Sequence, residues 1–200
     1  MSLKDVKVNF LVDIATDLFM RESIQDVTIS DIAIAAQVGE ATVYRYFGKK
    51  QNLVVQAAMR LQTIVASDYF RLEKNMNGYQ KMEAFYSSYL SIFKSHPDFY
   101  KFLSEFDVYM SNEKNSDLDS YEKAIEQYEE SFLAAYEEGL KDGSIKKQDN
   151  IKMFYFSTTH SVLELCKKLS LKGILSQDFN IEKNAEVKCL ISIILSALKK

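Results

Sequence analysis

Residues 28–53 read TISDIAIAAQVGEATVYRYFGKKQNL, and this stretch decides the fold. Thr28-Ile29-Ser30-Asp31 has the form of a capping box: the threonine hydroxyl accepts from the N–H of Asp31, and the aspartate reaches back. A short helix follows, with Ile29, Ile32, Ala33 and Ala36 on its inner side. Gln37-Val38-Gly39 breaks it. A second short helix is then predicted from about Glu40 to Tyr46, with Gly39 as N-cap and Glu40 against the positive helix end. Helix, tight turn, helix, with a packing helix in front, is the outline of a helix-turn-helix.

Charge points the same way. Residues 1–53 hold six cations and seven anions, a sum of −1, yet residues 41–60 hold Arg45, Lys49, Lys50 and Arg60 and no anion. A DNA-binding surface needs a positive field where phosphates sit, not a basic protein overall. The hydroxyls of Thr42, Tyr44 and Tyr46 can serve phosphates, and Arg45 can reach a guanine edge with two N–H groups. Spacing alone leaves a plainer reading open, in which the tyrosines are core and the cations a solvated face.

Outward from this stretch, helical periodicity is widespread. Val6, Phe10, Ile14 and Leu18 fall four apart with Leu11, Ala15 and Phe19 beside them, predicting a broad apolar stripe on a first helix. Val187, Leu190, Ile191, Ile194, Leu195 and Leu198 give a last helix its stripe. One proline and six glycines leave little turn chemistry for an all-β protein. Breaks are expected at 75–78, 95–97, 111–118, 139–150 and 172–180, with Pro97 in the first turn of a new helix. The expected fold is all-α with about nine helices: an N-terminal three-helix, homeodomain-like helix-turn-helix unit and a C-terminal ligand-binding and dimerisation bundle.

The 200 residues carry a net charge of −3, and no apolar run reaches transmembrane length. The N-terminus lacks a secretory h-region, so a soluble cytoplasmic chain with no membrane partner is expected. Cys166 and Cys189 are read as small packing residues in a reducing compartment.

Residues 28–53 also resemble the DNA-binding signature of TetR-type bacterial transcriptional regulators. Thr28, Asp31, Ile32, Ala33, Ala36, Val38, Thr42, Tyr44, Tyr46, Phe47, Lys50 and Leu53 match it. The resemblance implies that Tyr44 and Arg45 face base edges, that Thr42, Tyr46 and Lys50 hold phosphates, and that Thr28 offers its hydroxyl or N–H to the DNA backbone. Ala41 belongs to the same DNA-facing set, and Phe47 plugs the three-helix unit. Gln37, Gly39, Ser23 and Ala41 depart from the residues usual in that family. If Gln37 takes a left-handed backbone, it costs about 1 kcal/mol relative to glycine. The sequence EEGLKDGSI also resembles the G-x-x-x-G turn that follows the seventh helix in such proteins.

By the same resemblance, residues 1–53 are the DNA-binding domain and 54–200 the effector-binding and dimerisation domain. The expected partners are an operator duplex, a small effector and a second copy of the chain joined through the last two helices. Residues 85–110 hold nine aromatics, consistent with an aromatic cavity or with ordinary core. Phe106, Tyr109, Tyr128, Phe132, Tyr155, His160 and Glu164 are the pocket candidates by resemblance.

An enzyme is not expected. Only His96 and His160 are present, no HExxH, GxSxG, P-loop or GxGxxG occurs, and no metal or cofactor site is read. The function expected is a ligand-responsive repressor released from a palindromic operator. The alternative is a same-fold adaptor that senses a ligand or protein without gripping DNA.

Overall fold

The computed structural model describes residues 2–70, 73, 75–113, 118–171, 173 and 180–200. Among these, nine α-helices follow one another without a strand: α1 (Leu3–Arg21), α2 (Ile29–Ala35), α3 (Glu40–Phe47), α4 (Lys50–Asp68), α5 (Gly78–Ser95), α6 (Pro97–Ser111), α7 (Asp119–Asp142), α8 (Ile151–Ser170) and α9 (Lys183–Leu198). The chain divides into two compact units, Met1–Ile64 with Lys101–Ala124, and Val65–Tyr100 with Ile125–Lys200. The boundaries fall inside α4, α6 and α7. The breaks expected over 111–118 and 172–180 lie partly outside the described residues.

In the first unit, Leu11, Val12, Ala15 and Phe19 of α1 are buried, as are Ile29, Ile32 and Ala33 of α2 and Val43 and Phe47 of α3. Leu53, Val54, Ala57 and Ala58 of α4 are also buried. Fully burying a side chain such as Phe19 or Ile32 contributes about 1.5–3 kcal/mol. The predicted stripe on α1 needs correction at its start. Val6 and Phe10 are 45% and 49% exposed, and continuous burial begins only at Leu11. Helix length explains this: α1 is about 28 Å long while α2 and α3 are about 10 and 12 Å, so the short pair cover only part of it.

In the second unit, α5, α8 and α9 pack on one another. The start of α5 meets the end of α7 without room for a side chain: a Cβ on Gly78 would come 2.1 Å from the Gly139 nitrogen and 2.8 Å from the Ala135 carbonyl oxygen. Asp142 Oδ2 accepts the Gly78 N–H at 2.8 Å, and Ser144 Oγ accepts the Tyr79 N–H at 3.0 Å, so the end of α7 supplies acceptors to free N–H groups of α5. Gly143, at φ 78, ends α7 in the left-handed region. The EEGLKDGSI stretch is therefore a helix end whose first glycine permits close packing and whose second permits the turn. Cys166 is buried as expected, but Cys189 lies exposed on α9, because the stripe of that helix faces the other way. No helix among the described residues is long and apolar enough to cross a membrane.

Candidate nucleic-acid interface

The capping box forms as read. Asp31 N–H donates to Thr28 Oγ1 at 3.2 Å, and Thr28 N–H donates to Asp31 Oδ2 at 2.8 Å. The Thr28 hydroxyl also donates to that carboxylate, at 2.6 Å. These bonds hold the Asp31 carboxyl below its ordinary range. They also commit both Thr28 donors, so a DNA phosphate can take the hydroxyl only by displacing Asp31.

The turn after α2 places Gln37 at φ 54, in the left-handed region. Gln37 N–H donates to the Ile34 carbonyl at 3.0 Å and Val38 N–H to the Ala33 carbonyl at 2.9 Å, closing the turn. Gly39, with extended φ −77 and ψ 148, is the N-cap of α3 but offers no side-chain acceptor. The α3 helix then divides cleanly. Val43 and Phe47 are buried, while Ala41, Tyr44 and Arg45 are exposed, with Thr42 and Tyr46 between these extremes. Arg45 lies with its guanidinium carbon 5.1 Å from the Tyr46 ring centre and makes no ion pair with a described residue.

The four cations of 41–60 are not equivalent. Arg60 is engaged by Asp13, its Nη2 2.7 Å from Oδ1, so its charge is largely answered within the protein. Lys50 is half-buried: its Nζ donates to the Gln25 carbonyl at 3.2 Å and stands 5.3 Å from the Tyr109 ring centre. Burial pushes the Lys50 ammonium below its usual range, partly offset by Asp26 and Asp31. Lys50 therefore has contacts within the protein besides any it makes with a phosphate. It ties the start of α4 to the α1–α2 loop and to α6, with two of its three N–H groups left for a phosphate.

Local pattern could not reveal the further supports of this unit. Glu105 Oε2 accepts the Ile24 N–H at 2.8 Å, and Gln51 Nε2 donates to Glu113 at 2.7 Å. These pairs are 81 and 62 residues apart in sequence. Tyr109, chosen as a pocket candidate, serves here beneath Lys50.

The seven pocket candidates are divided between the two units. Phe106 and Tyr109 belong to the first unit, where Phe106 is buried against Tyr121 at 5.0 Å between ring centres. Phe132 and Tyr155 share a buried cluster in the second unit with Phe85, their own rings 5.0 Å apart. Tyr128 reaches that cluster through Phe70, at 4.7 Å. His160 and Glu164 lie instead on the exposed side of α8, His160 against Phe156 and Glu164 paired with Lys167. A cleft of about 400 Å³, lined by residues including Phe93, Lys94, Leu169 and Glu182, contains none of the seven. No group of three His, Cys, Asp or Glu side chains suited to a metal ion occurs among the described residues.

The comparisons with known proteins meet this geometry at the same residues. Residues 11–57, the buried part of α1 through the first turns of α4, match the family model of bacterial regulatory proteins, tetR family. These residues form a DNA-binding domain of the tetR type. The chain is 24% identical over 147 residues to the HTH-type transcriptional repressor KstR2 of Rhodococcus jostii, covering 72% of this chain and 71% of that one. Its fold is shared with a TetR transcription regulator from Haloarcula marismortui (TM-score 0.74, 15% identity, 98% of this chain and 100% of that one). A TetR-family regulator from Agrobacterium tumefaciens shares it too (TM-score 0.67, 13% identity, 98% and 100%).

Proposed function

We infer that this TetR-family regulator is a ligand-responsive repressor that binds a palindromic operator as a homodimer and leaves it when a small effector binds. The observation that carries the reading is the two-sided α3, with Val43 and Phe47 locked into the core and Ala41, Tyr44 and Arg45 presented to solvent. A helix fixed on one side and polar and aromatic on the other can enter a major groove, where a guanidinium reads guanine and hydroxyls hold phosphates. In this reading residues 1–53 bind DNA, and residues 54–200 bind the effector and dimerise. Thr42, Tyr46 and Lys50 take phosphates, with Thr28 and Ala41 at the margins of the contact.

The outward face of the last two helices supports dimerisation. Met153 and Phe156 of α8 and Ile193 of α9 are exposed apolar side chains, and Cys189, His160 and Ser161 are exposed on the same two helices. Exposed apolar side chains on two packed helices are suited to a partner, here a second copy across a two-fold axis. Such a dimer presents two recognition helices to half-sites about 34 Å apart or a multiple of that. Repression is supported by the repressor among its relatives. The effector releases DNA only if it binds better to the conformation whose heads are wrongly spaced. The cytoplasm is where such a protein would work.

The test is selection of bound sequences from a random duplex pool, with Arg45→Ala in parallel and the oligomeric state measured by sedimentation. An enriched palindrome bound by a dimer, degraded at defined positions by Arg45→Ala, supports the reading. Absence of enrichment even at low salt refutes it in favour of an adaptor of the same fold.

A further inference from the structure

Glu105 and Tyr109 lie one turn apart on α6, and Glu113 follows at the same spacing just past the end of that helix. Each meets a different segment of the first unit, to which all three belong. Glu105 Oε2 accepts the Ile24 N–H at 2.8 Å, and Glu113 Oε2 accepts from Gln51 Nε2 at 2.7 Å. Between them the Tyr109 ring lies under the Lys50 ammonium, its centre 5.3 Å from Nζ. The two carboxylates are answered within the protein, Glu105 also by Lys101 at 3.8 Å. The residue set against Lys50 is instead an aromatic.

That choice bears on what Lys50 can do. Its Nζ donates to the Gln25 carbonyl at 3.2 Å and forms no ion pair with a described residue. A carboxylate at position 109 could hold the ammonium too, but it would neutralise the charge that attracts a phosphate. The face of a phenol ring attracts a cation through its quadrupole and leaves the net charge whole. Tyr109 is half-buried, and burial raises its phenol above the ordinary range, so the ring stays neutral beside the cation. A lysine has a flexible four-carbon stem, and gripping a phosphate removes its rotamer freedom. The Gln25 carbonyl and the Tyr109 ring restrict that stem before DNA arrives.

We propose that Tyr109 is a positioning residue for phosphate binding: its ring holds the Lys50 ammonium in place at the start of α4 without neutralising it. The machinery that grips DNA then includes part of α6, outside residues 1–53. This rests on the reading of Lys50 as a phosphate contact.

The experiment uses the full chain and a fluorescent duplex of mixed sequence, since a phosphate contact needs no operator. Binding is followed by anisotropy over a range of salt, and each protein's melting temperature is measured alongside. The proteins are the wild type, Tyr109→Phe, Tyr109→Leu, Lys50→Ala and the double variant Lys50→Ala, Tyr109→Leu. Tyr109→Phe keeps the ring and should bind as the wild type does. Tyr109→Leu keeps apolar bulk without a π face and should bind about three- to tenfold more weakly at low salt. Lys50→Ala should flatten the salt slope by about one per subunit. In the Lys50→Ala background, Tyr109→Leu should change nothing further, whereas a packing defect would persist there. Tyr109→Gln, suited to a half-buried position, repeats the cycle if leucine lowers the melting temperature.

Wild-type affinity in Tyr109→Leu, an equal loss in Tyr109→Phe, or a loss undiminished in the Lys50→Ala background would each overturn the proposal while the phosphate role of Lys50 stands. A wild-type salt slope in Lys50→Ala would remove that role and the proposal with it, as would a wild type that binds no duplex at low salt.

Discussion

Replacing Gln37 by glycine isolates one backbone angle in the helix-turn-helix. The residue sits at φ 54 in the turn between α2 and α3, with its side chain exposed. Its N–H bond to Ile34 and the neighbouring Val38 to Ala33 bond are backbone contacts that glycine keeps. What changes is the close approach of Cβ to the following carbonyl oxygen, which costs an L-residue about 1–2 kcal/mol. Against this, glycine has more freedom to lose from the unfolded chain, about 0.4–1 kcal/mol. The balance is a stabilisation of about 0.5–1 kcal/mol, or a rise in Tm of about 1–4 °C for a chain of this length. Thermal unfolding of the wild type, Gln37→Gly and Gln37→Val gives the assay. Valine, β-branched and least suited to positive φ, should lower Tm. A glycine variant no more stable than wild type, with valine tolerated without loss, would refute the assignment of strain to this turn.

Arg60→Ala should leave the salt dependence of operator binding unchanged and cost about 0.2–1 kcal/mol of stability, since Arg60 pairs with Asp13 at a partly exposed site. Arg45→Ala should cost about 1–3 kcal/mol on the preferred site and relax specificity at one position, read by quantitative binding to single-base operator variants. Gly78→Ala should destabilise by about 1–3 kcal/mol or more in urea unfolding, because the new methyl meets backbone atoms of Gly139 and Ala135 that have no rotamer to change. Asp31 is held below its ordinary range in the folded state, so its contribution is present above the unfolded value and lost as pH falls through the folded one. Asp31→Asn should therefore melt below wild type near pH 6, with the gap closing as pH falls below the ordinary aspartate range. A gap that persists in acid would locate the loss outside the capping box.

Residues with local causes were legible in the sequence. The Thr28–Asp31 box, the inner face of α2 and the start of α6 at Pro97 depend on neighbours within four positions, and all appear where the pattern placed them. The exposure of Tyr44 and Arg45 on α3 is implied by the family resemblance of the stretch, whereas spacing alone leaves the tyrosines open to a place in the core. Only tertiary structure could decide which equally periodic positions find a partner. Val6 and Phe10 repeat as regularly as Leu11 and Phe19, yet only the latter pair is buried. Lys50 and Arg60 are as cationic as Arg45, but contacts with Gln25, Tyr109 and Asp13, distant in sequence, change what their charges can do. Tyr155 and His160 both lie on α8 and differ by five positions, which turns one inward and the other to the surface. Periodicity sets the relative directions of side chains on one helix. What lies opposite them is set by chain segments that the local pattern does not contain.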